Sequence, residues 1–249
     1  MLSQFLVKIF VRKSKIIEKH IIAERFVFLK IRMPKKIHWI PGDKVQIVVG
    51  KKDLRSYTPF ALDLDNKTFS TLIYNHGNGP GALWANEIIP NKKTEVFGPR
   101  RSFVEKEDDH MYLFFGDETS MGLCYALRLR LQHAYFEVNN ETASNMALQH
   151  LGLTPYTLFK RDKDQQHLKR MVEQITSLLL QKNHRSFTLI LSGHKWNAHR
   201  LETQLELALK HFNINNVKIV HKHYWGHKDA KKTVVENEQI YQESSELIL

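Results

Sequence analysis

Hydrophobic positions change their spacing about two-fifths of the way along the chain. Up to about residue 105, apolar and β-branched residues come in short runs separated by turn residues: 24–33, 45–49 after Pro41-Gly42-Asp43, 55–60, 68–75 and 94–98. That rhythm predicts a small antiparallel barrel. From about residue 110 the runs are separated by stretches of helical period instead. Strands are expected at 112–115, 134–138, 157–160, 187–191 and 217–220, with helices from Thr119, near Thr142, over 165–182 and over 197–211. Such alternation predicts a parallel sheet with helices on both faces. The patterns meet between Ser102 and Asp109, where Glu105-Lys106-Glu107-Asp108-Asp109 reads as a linker. Two domains are expected, 1–106 as a β barrel and 107–249 as a Rossmann-like α/β unit.

Composition narrows what these domains can do. The chain has 249 residues, 42% hydrophobic and 10% aromatic, which suits globular cores. No stretch approaches the roughly 18 consecutive apolar residues of a membrane helix. The segment Met1 to Val7 lacks a charged n-region, and Lys8 interrupts the apolar run, so the expectation is a cytoplasmic protein without membrane insertion. One cysteine, Cys124, provides neither an internal disulfide nor the four thiolates of an iron-sulfur cluster. Redox chemistry would therefore need a bound organic cofactor. A net charge of +11 favours anionic partners. Nucleic acid is not expected among them, because the basic residues are spread along the chain and no recognition motif accompanies them.

Two segments about twenty residues apart carry the candidate chemistry. In Arg55-Ser56-Tyr57-Thr58-Pro59, strand alternation puts Arg55 and Tyr57 on one face, a fixed cation beside an aromatic ring. Thr58 offers a hydroxyl and an amide for the edge of a bound ring. In His76-Gly77-Asn78-Gly79-Pro80-Gly81-Ala82-Leu83-Trp84-Ala85, glycines free the backbone for close approach, and a helix opening at Pro80 turns its positive end toward an anion. A ligand with both a phosphate and a flat ring, such as a flavin dinucleotide, suits the pair. Phe97-Gly98-Pro99-Arg100-Arg101 adds a turn and two cations.

In the second half, Gly116-Asp117-Glu118-Thr119-Ser120 joins a strand end to a helix, where ligands of open α/β sheets bind. Glu137, twenty residues after Asp117, is placed to accept a ribose hydroxyl; Lys160 and Arg161 could instead take an extra phosphate. Near the end, His221 and His223 share a strand face and could ligate a metal, yet no carboxylate or thiolate stands beside them in the sequence, so no fixed metal site is expected. Tyr224 and Trp225, followed by Lys228, Lys231 and Lys232, read as apolar contact area with a basic rim for a bulky anionic substrate.

The order of RSYTP, HGNGPGALWA, FGPRR, GDETS and HYWGHK resembles the siderophore-interacting protein family, flavin-dependent ferric-siderophore reductases of ferredoxin-reductase-like fold. The resemblance spans roughly residues 20–235. It implies a Greek-key barrel holding FAD, an α/β domain docking NADH or NADPH, and a ferric siderophore in a basic cleft between them, reduced so that Fe(II) is released. By position, Arg55, Tyr57, Thr58, His76, Gly77, Gly79, Pro80 and Trp84 would bind FAD. Asp117, Glu118 and Thr119 would line the nicotinamide side, and Tyr224 and Trp225 would lie near the flavin, with Thr58 and Thr119 beside its reactive edge. No residue is implied as acid or base. The chain departs from the family in Gly226-His227-Lys228, where an arginine usually follows the Tyr-Trp pair, in Gly193-His194, where Gly-Glu is usual, and in lacking a proline after GDET. A reductase of the same architecture that passes electrons to ferredoxin, another protein or free flavin is the neighbouring alternative.

Overall fold

A computed structural model describes residues 12–50, 53–77, 79–102, 110–182 and 184–225, and the strand but not the side chains at Tyr224 and Trp225. The expected linker at 105–109 and the lysines Lys228, Lys231 and Lys232 lie outside the described residues.

The first half folds into β1 (Arg12–Ile22), β2 (Phe26–Arg32), β3 (Lys44–Val48), β4 (Leu54–Tyr57), β5 (Phe60–Asp63), β6 (Thr68–Tyr74) and β7 (Lys93–Arg100), with α1 (Pro80–Glu87) between β6 and β7. Its ladders are antiparallel in the order β4-β3-β7-β1-β2-β6-β5, a barrel-like sheet without a hydrogen-bonded seam between β4 and β5. The run expected as one strand over 55–60 is two strands. Pro59 cannot donate to a ladder, and at Thr58-Pro59 the chain passes from the β3 edge to the β6 edge. Strand β1 has no clear period in the sequence because its pairing with β2 shifts register between Ile16 and Glu18; Ile16 and Ile22 are buried while Ile21 is 59% exposed.

The second half contains β8 (Met111–Gly116), a 3-10 turn (Glu118–Ser120), α2 (Met121–Ala126), β9 (Leu131–Val138), α3 (Glu141–Leu151), β10 (Tyr156–Lys160), α4 (Gln166–Gln181), β11 (Phe187–His194), α5 (Lys195–His211) and β12 (Val217–Trp225). All its strand pairs are parallel, in the order β10-β9-β8-β11-β12. In chain order this sheet reads 3-2-1-4-5, so the strand direction of travel reverses between β8 and β11. The crevice beyond those two C-terminal ends is the place such a sheet offers a ligand.

Side-chain alternation along β2 explains how the halves hold together. Val27, Leu29 and Ile31 face the barrel core with Val45, Ile47, Phe69 and Val96. Phe26 and Phe28 face the other way, joining Phe60 and Leu72 in one apolar cluster with Tyr112, Phe114, Met121 and Leu123 of the second half. Each such side chain contributes ~1.5–3 kcal/mol when buried, so this shared core fixes how the two sheets meet. A polar tie reinforces it: Lys222 of β12 donates to the Gly42 carbonyl at 3.3 Å and to the Ser102 hydroxyl. Burial, with Lys44 beside it and Asp43 opposing, pushes the Lys222 ammonium down to about 8.

Candidate functional site

The cleft between the halves has a volume of about 630 Å³, and both sheets line it. Its barrel wall carries Arg55, Ser56 and Tyr57 from β4, Tyr74 from the end of β6, and His76; its other wall carries Glu118 and Thr119 from the turn after β8, Asn139 and Asn140 after β9, and Arg161 after β10. Three successive strand ends thus face two tyrosines, Tyr57 and Tyr74, and two arginines, Arg25 and Arg55, of the barrel.

On the barrel wall, Arg55 Nη1 donates to its neighbour's Leu54 carbonyl at 2.9 Å and stands 3.9 Å from Asp53, with the side chain 42% exposed. Burial pushes the Tyr57 phenol up, against the pull of Arg55. The glycines of the second segment serve these side chains. A Cβ on Gly81 would sit 2.4 Å from the Tyr57 hydroxyl and 3.4 Å from Arg55 Cγ, and one on Gly79 would strike the His76 ring at 2.6 Å. Gly77, at φ +100°, meets nothing within 4 Å. Helix α1 begins with Gly79 as an N-cap that makes no side-chain capping bond and with Pro80, which has no N–H to leave unpaired. Its first free amides therefore belong to the turn that packs against Arg55 and Tyr57, which sets N–H groups and a positive helix end beside a guanidinium. If the cleft takes the flavin expected from the sequence, Gly81→Ala should leave the fold intact, displace Tyr57 and lower flavin affinity about tenfold, which fluorescence titration of the purified variant measures.

Thr58 and Trp84 stand elsewhere. Thr58 is 5% exposed and its carbonyl accepts from the Thr71 hydroxyl at 3.1 Å; Trp84 packs against the barrel core. Gly77, Gly79 and Pro80 do not line the cleft, although His76 does.

On the opposite wall, Asp117 is fully buried and spoken for. Its Oδ1 accepts from the Thr119 amide at 2.9 Å and the Thr119 hydroxyl at 2.5 Å, while Oδ2 accepts from the His194 amide at 2.9 Å. The carboxylate therefore stitches β8 to β11 at the reversal point. Gly193 makes room for it: a Cβ there would fall 2.5–2.8 Å from the carboxylate atoms, and its φ is +83°. Position 194 contributes a backbone N–H to this junction, which a histidine supplies as well as a glutamate.

Arg161 is the centre of the wall. Its guanidinium lies 3.1 Å from Glu118 Oε2, 3.6 Å from Glu137 Oε1 and 4.0 Å from Asp117 Oδ2. Glu118 also accepts from the Asn139 amide at 2.6 Å. Burial pushes the Glu118 carboxyl up, Arg161 and that amide draw it back, and Asp117 adds to the rise. Glu137, expected to reach a ribose, is instead fully buried, accepting from Asn197 Nδ2 at 2.7 Å and 3.2 Å from His167 Nε2. Asn139 and Asn140 were missed by sequence reasoning, although their place directly after β9 is the signal that finds them.

No protein-family model matches the chain, and no curated protein matches it in sequence. Solved structures do match. A siderophore-interacting protein from Acinetobacter baumannii aligns over 95% of this chain and 99% of its own, at 16% identity and a TM-score of 0.65. A siderophore utilization protein from T. fusca aligns over 88% of this chain and 93% of its own, at 19% identity and 0.62. The fold is that of ferredoxin-reductase-like proteins. A mutant ferredoxin-NADP+ reductase from Plasmodium falciparum shares it at 14% identity and a TM-score of 0.62, over 84% of this chain and 95% of its own. The resemblance read from the five motifs and the resemblance in three dimensions thus converge on the same architecture. Among the described residues, no helix is long and apolar enough to cross a membrane.

Proposed function

We propose that this chain is an FAD-containing oxidoreductase that takes electrons from NADH or NADPH and delivers them to a ferric siderophore, with the barrel over 1–106 holding FAD and the α/β unit over 107–249 docking the nicotinamide. The observation that carries the reading is the cleft in which Arg55 and Tyr57, with the start of α1 packed behind them, oppose the C-terminal ends of three parallel strands, β8, β9 and β10. The donor set suits FAD: a guanidinium and uncapped helix amides for a pyrophosphate, and a phenol ring held by Gly81 for a flat ring system. FAD, when bound, supplies the conversion between a two-electron hydride donor and one-electron acceptors.

The chain's own residues bind and shield. Arg55 holds negative charge, Tyr57 covers a ring face, and His76 closes the rim above Gly79. Thr119 lines the cleft, its amide and hydroxyl both donating to Asp117, which fixes the turn. Arg161 is committed to three carboxylates, so it sets the charge of the wall rather than serving as a free phosphate clamp. Release of iron follows from ligand preference, since the hard oxygen donors of siderophores hold Fe(II) far less tightly than Fe(III). The similar structures of a siderophore-interacting protein and a siderophore utilization protein support this acceptor class.

The test is anaerobic reduction of the flavin-loaded protein by NADH, NADPH and reduced ferredoxin in turn, followed by reoxidation with a panel of ferric chelates. Reoxidation by at least one ferric siderophore well above the rate of free reduced flavin is the expected result. If every chelate leaves the flavin reduced while an acceptor protein or free flavin reoxidises it, the chain belongs with the ferredoxin-type reductases.

A further inference from the structure

The sequence argued against a metal at His221 and His223 because no carboxylate stood near them, and the fold supplies one. Glu202 of α5 places Oε1 2.9 Å from His221 Nε2, while its Oε2 lies 3.3 Å from His199 Nδ1. An ionised carboxylate only accepts, so Nε2 of His221 carries the proton and donates to Glu202. That assigns the lone pair of the neutral ring to Nδ1. Nδ1 in turn faces His223 Nε2 at 3.1 Å, the two rings lying on the same side of the edge strand β12 with centroids 5.1 Å apart.

We infer that the β12–α5 surface is a site for a borderline divalent transition-metal ion, with His221 Nδ1 and His223 Nε2 as its two protein ligands and Glu202 as the carboxylate that orients His221. Imidazole nitrogens about 2.0–2.1 Å from one ion, at tetrahedral or cis-octahedral angles, stand about 2.9–3.4 Å apart, and the observed separation falls inside that range. A carboxylate on the far nitrogen of a ligating histidine is the usual means of fixing its tautomer and raising its basicity. The histidines are reachable: the His221 side chain is 38% exposed, against 17% for Glu202. Among the described residues no group of three or more histidines, cysteines and carboxylates is arranged to hold a metal, so water completes the coordination. Without the ion, His223 Nε2–H donates to His221 Nδ1; for the ion to take that place the His223 proton moves to its own Nδ1, so both rings bind as neutral imidazoles and no net proton is released. Zinc suits the site whether or not the chain is a reductase. The link to function rests on the reading above: Fe(II) freed from oxygen chelators is the ion of this class that the reaction itself would supply.

Titration calorimetry of the full chain with zinc chloride, without added nicotinamide, tests the site independently of electron transfer. One equivalent of zinc per chain is expected. The paired substitution His221→Ala and His223→Ala should weaken this binding at least tenfold, and Glu202→Gln about tenfold, the lower end for a second-layer carboxylate at an exposed site. Unchanged zinc affinity in the paired variant overturns the site. A measurement on the unaltered protein guards against misfolded variants: Cu(II) electron paramagnetic resonance should show two equatorial nitrogens, and a spectrum with oxygen ligands alone overturns it as well. Loss of zinc binding with intact chelate reduction, or the reverse, separates this inference from the proposed function.

Discussion

Arg161→Ala should lower the melting temperature by ~6–20 °C, and the loss should widen as pH rises. The substitution leaves Asp117, Glu118 and Glu137 in the protein, at 0%, 3% and 0% exposure, without the guanidinium that all three face. Breaking a buried ion pair by removing one partner costs ~3–5 kcal/mol, and in a domain of this size each kcal/mol moves the midpoint ~2–4 °C. The pH dependence follows from Glu118, which titrates higher folded than unfolded. Stability contributed by its neutral form is full below the unfolded value and is lost as pH climbs through the folded one. Arg161 draws that folded value down, so removing the arginine raises it further and enlarges the penalty at high pH. Melts of wild type and variant at pH 5, 6.5 and 8, at equal flavin occupancy, measure the difference. Glu118→Gln in the same background should recover part of the loss at pH 8. A deficit that is flat across pH would mean that the carboxylates, Glu118 above all, do not govern this wall.

Arg55→Ala should give a protein that folds normally and purifies largely colourless. Removing one partner of a hydrogen-bonded charge pair costs ~2–5 kcal/mol when desolvated; the 42% exposure of Arg55 places the effect near ~2–3 kcal/mol. That corresponds to about a 30- to 150-fold rise in the Kd for FAD. Arg55→Lys keeps the charge but loses the planar fork and should fall between the two. Flavin absorbance per mole of purified protein, then titration of the stripped protein with FAD, provides the numbers. Full colour in Arg55→Ala would remove Arg55 from the phosphate site and leave the amides of α1 as its remaining donors. The melting temperature of the stripped variant should match wild type, because Arg55 is bonded to a neighbouring carbonyl and paired with an exposed aspartate.

The five motif segments and the change of period were enough to place most elements, and the places where they were not are instructive. Strand β1 escaped because a register shift breaks the alternation that marks a strand. The pair β4 and β5 read as one strand because Thr58-Pro59 interrupts hydrogen bonding without interrupting hydrophobicity. In the site, Arg55 and Tyr57 were legible as neighbours on one face, but the reason for the glycines was not. Freedom for a ligand and freedom for Tyr57 and His76 leave the same residue in the sequence, and a Cβ distance was needed to tell them apart.

What the sequence determined by itself is everything that short-range spacing encodes: two kinds of sheet, the helices expected over 165–182 and 197–211 and found over 166–181 and 195–211, and a cation and an aromatic sharing a strand face. Those features depend on periods of two and 3.6 residues, which neighbours along the chain express directly. Tertiary structure alone decided the long-range polar partners. Parallel strand order brings Asp117, Glu118, Glu137 and Arg161 to one edge although they lie up to 44 positions apart, and packing of α5 on the sheet brings Glu202 to His221. A buried charge must find its partner wherever the fold puts one, so the site's charge, unlike its strands, could not be read from local pattern.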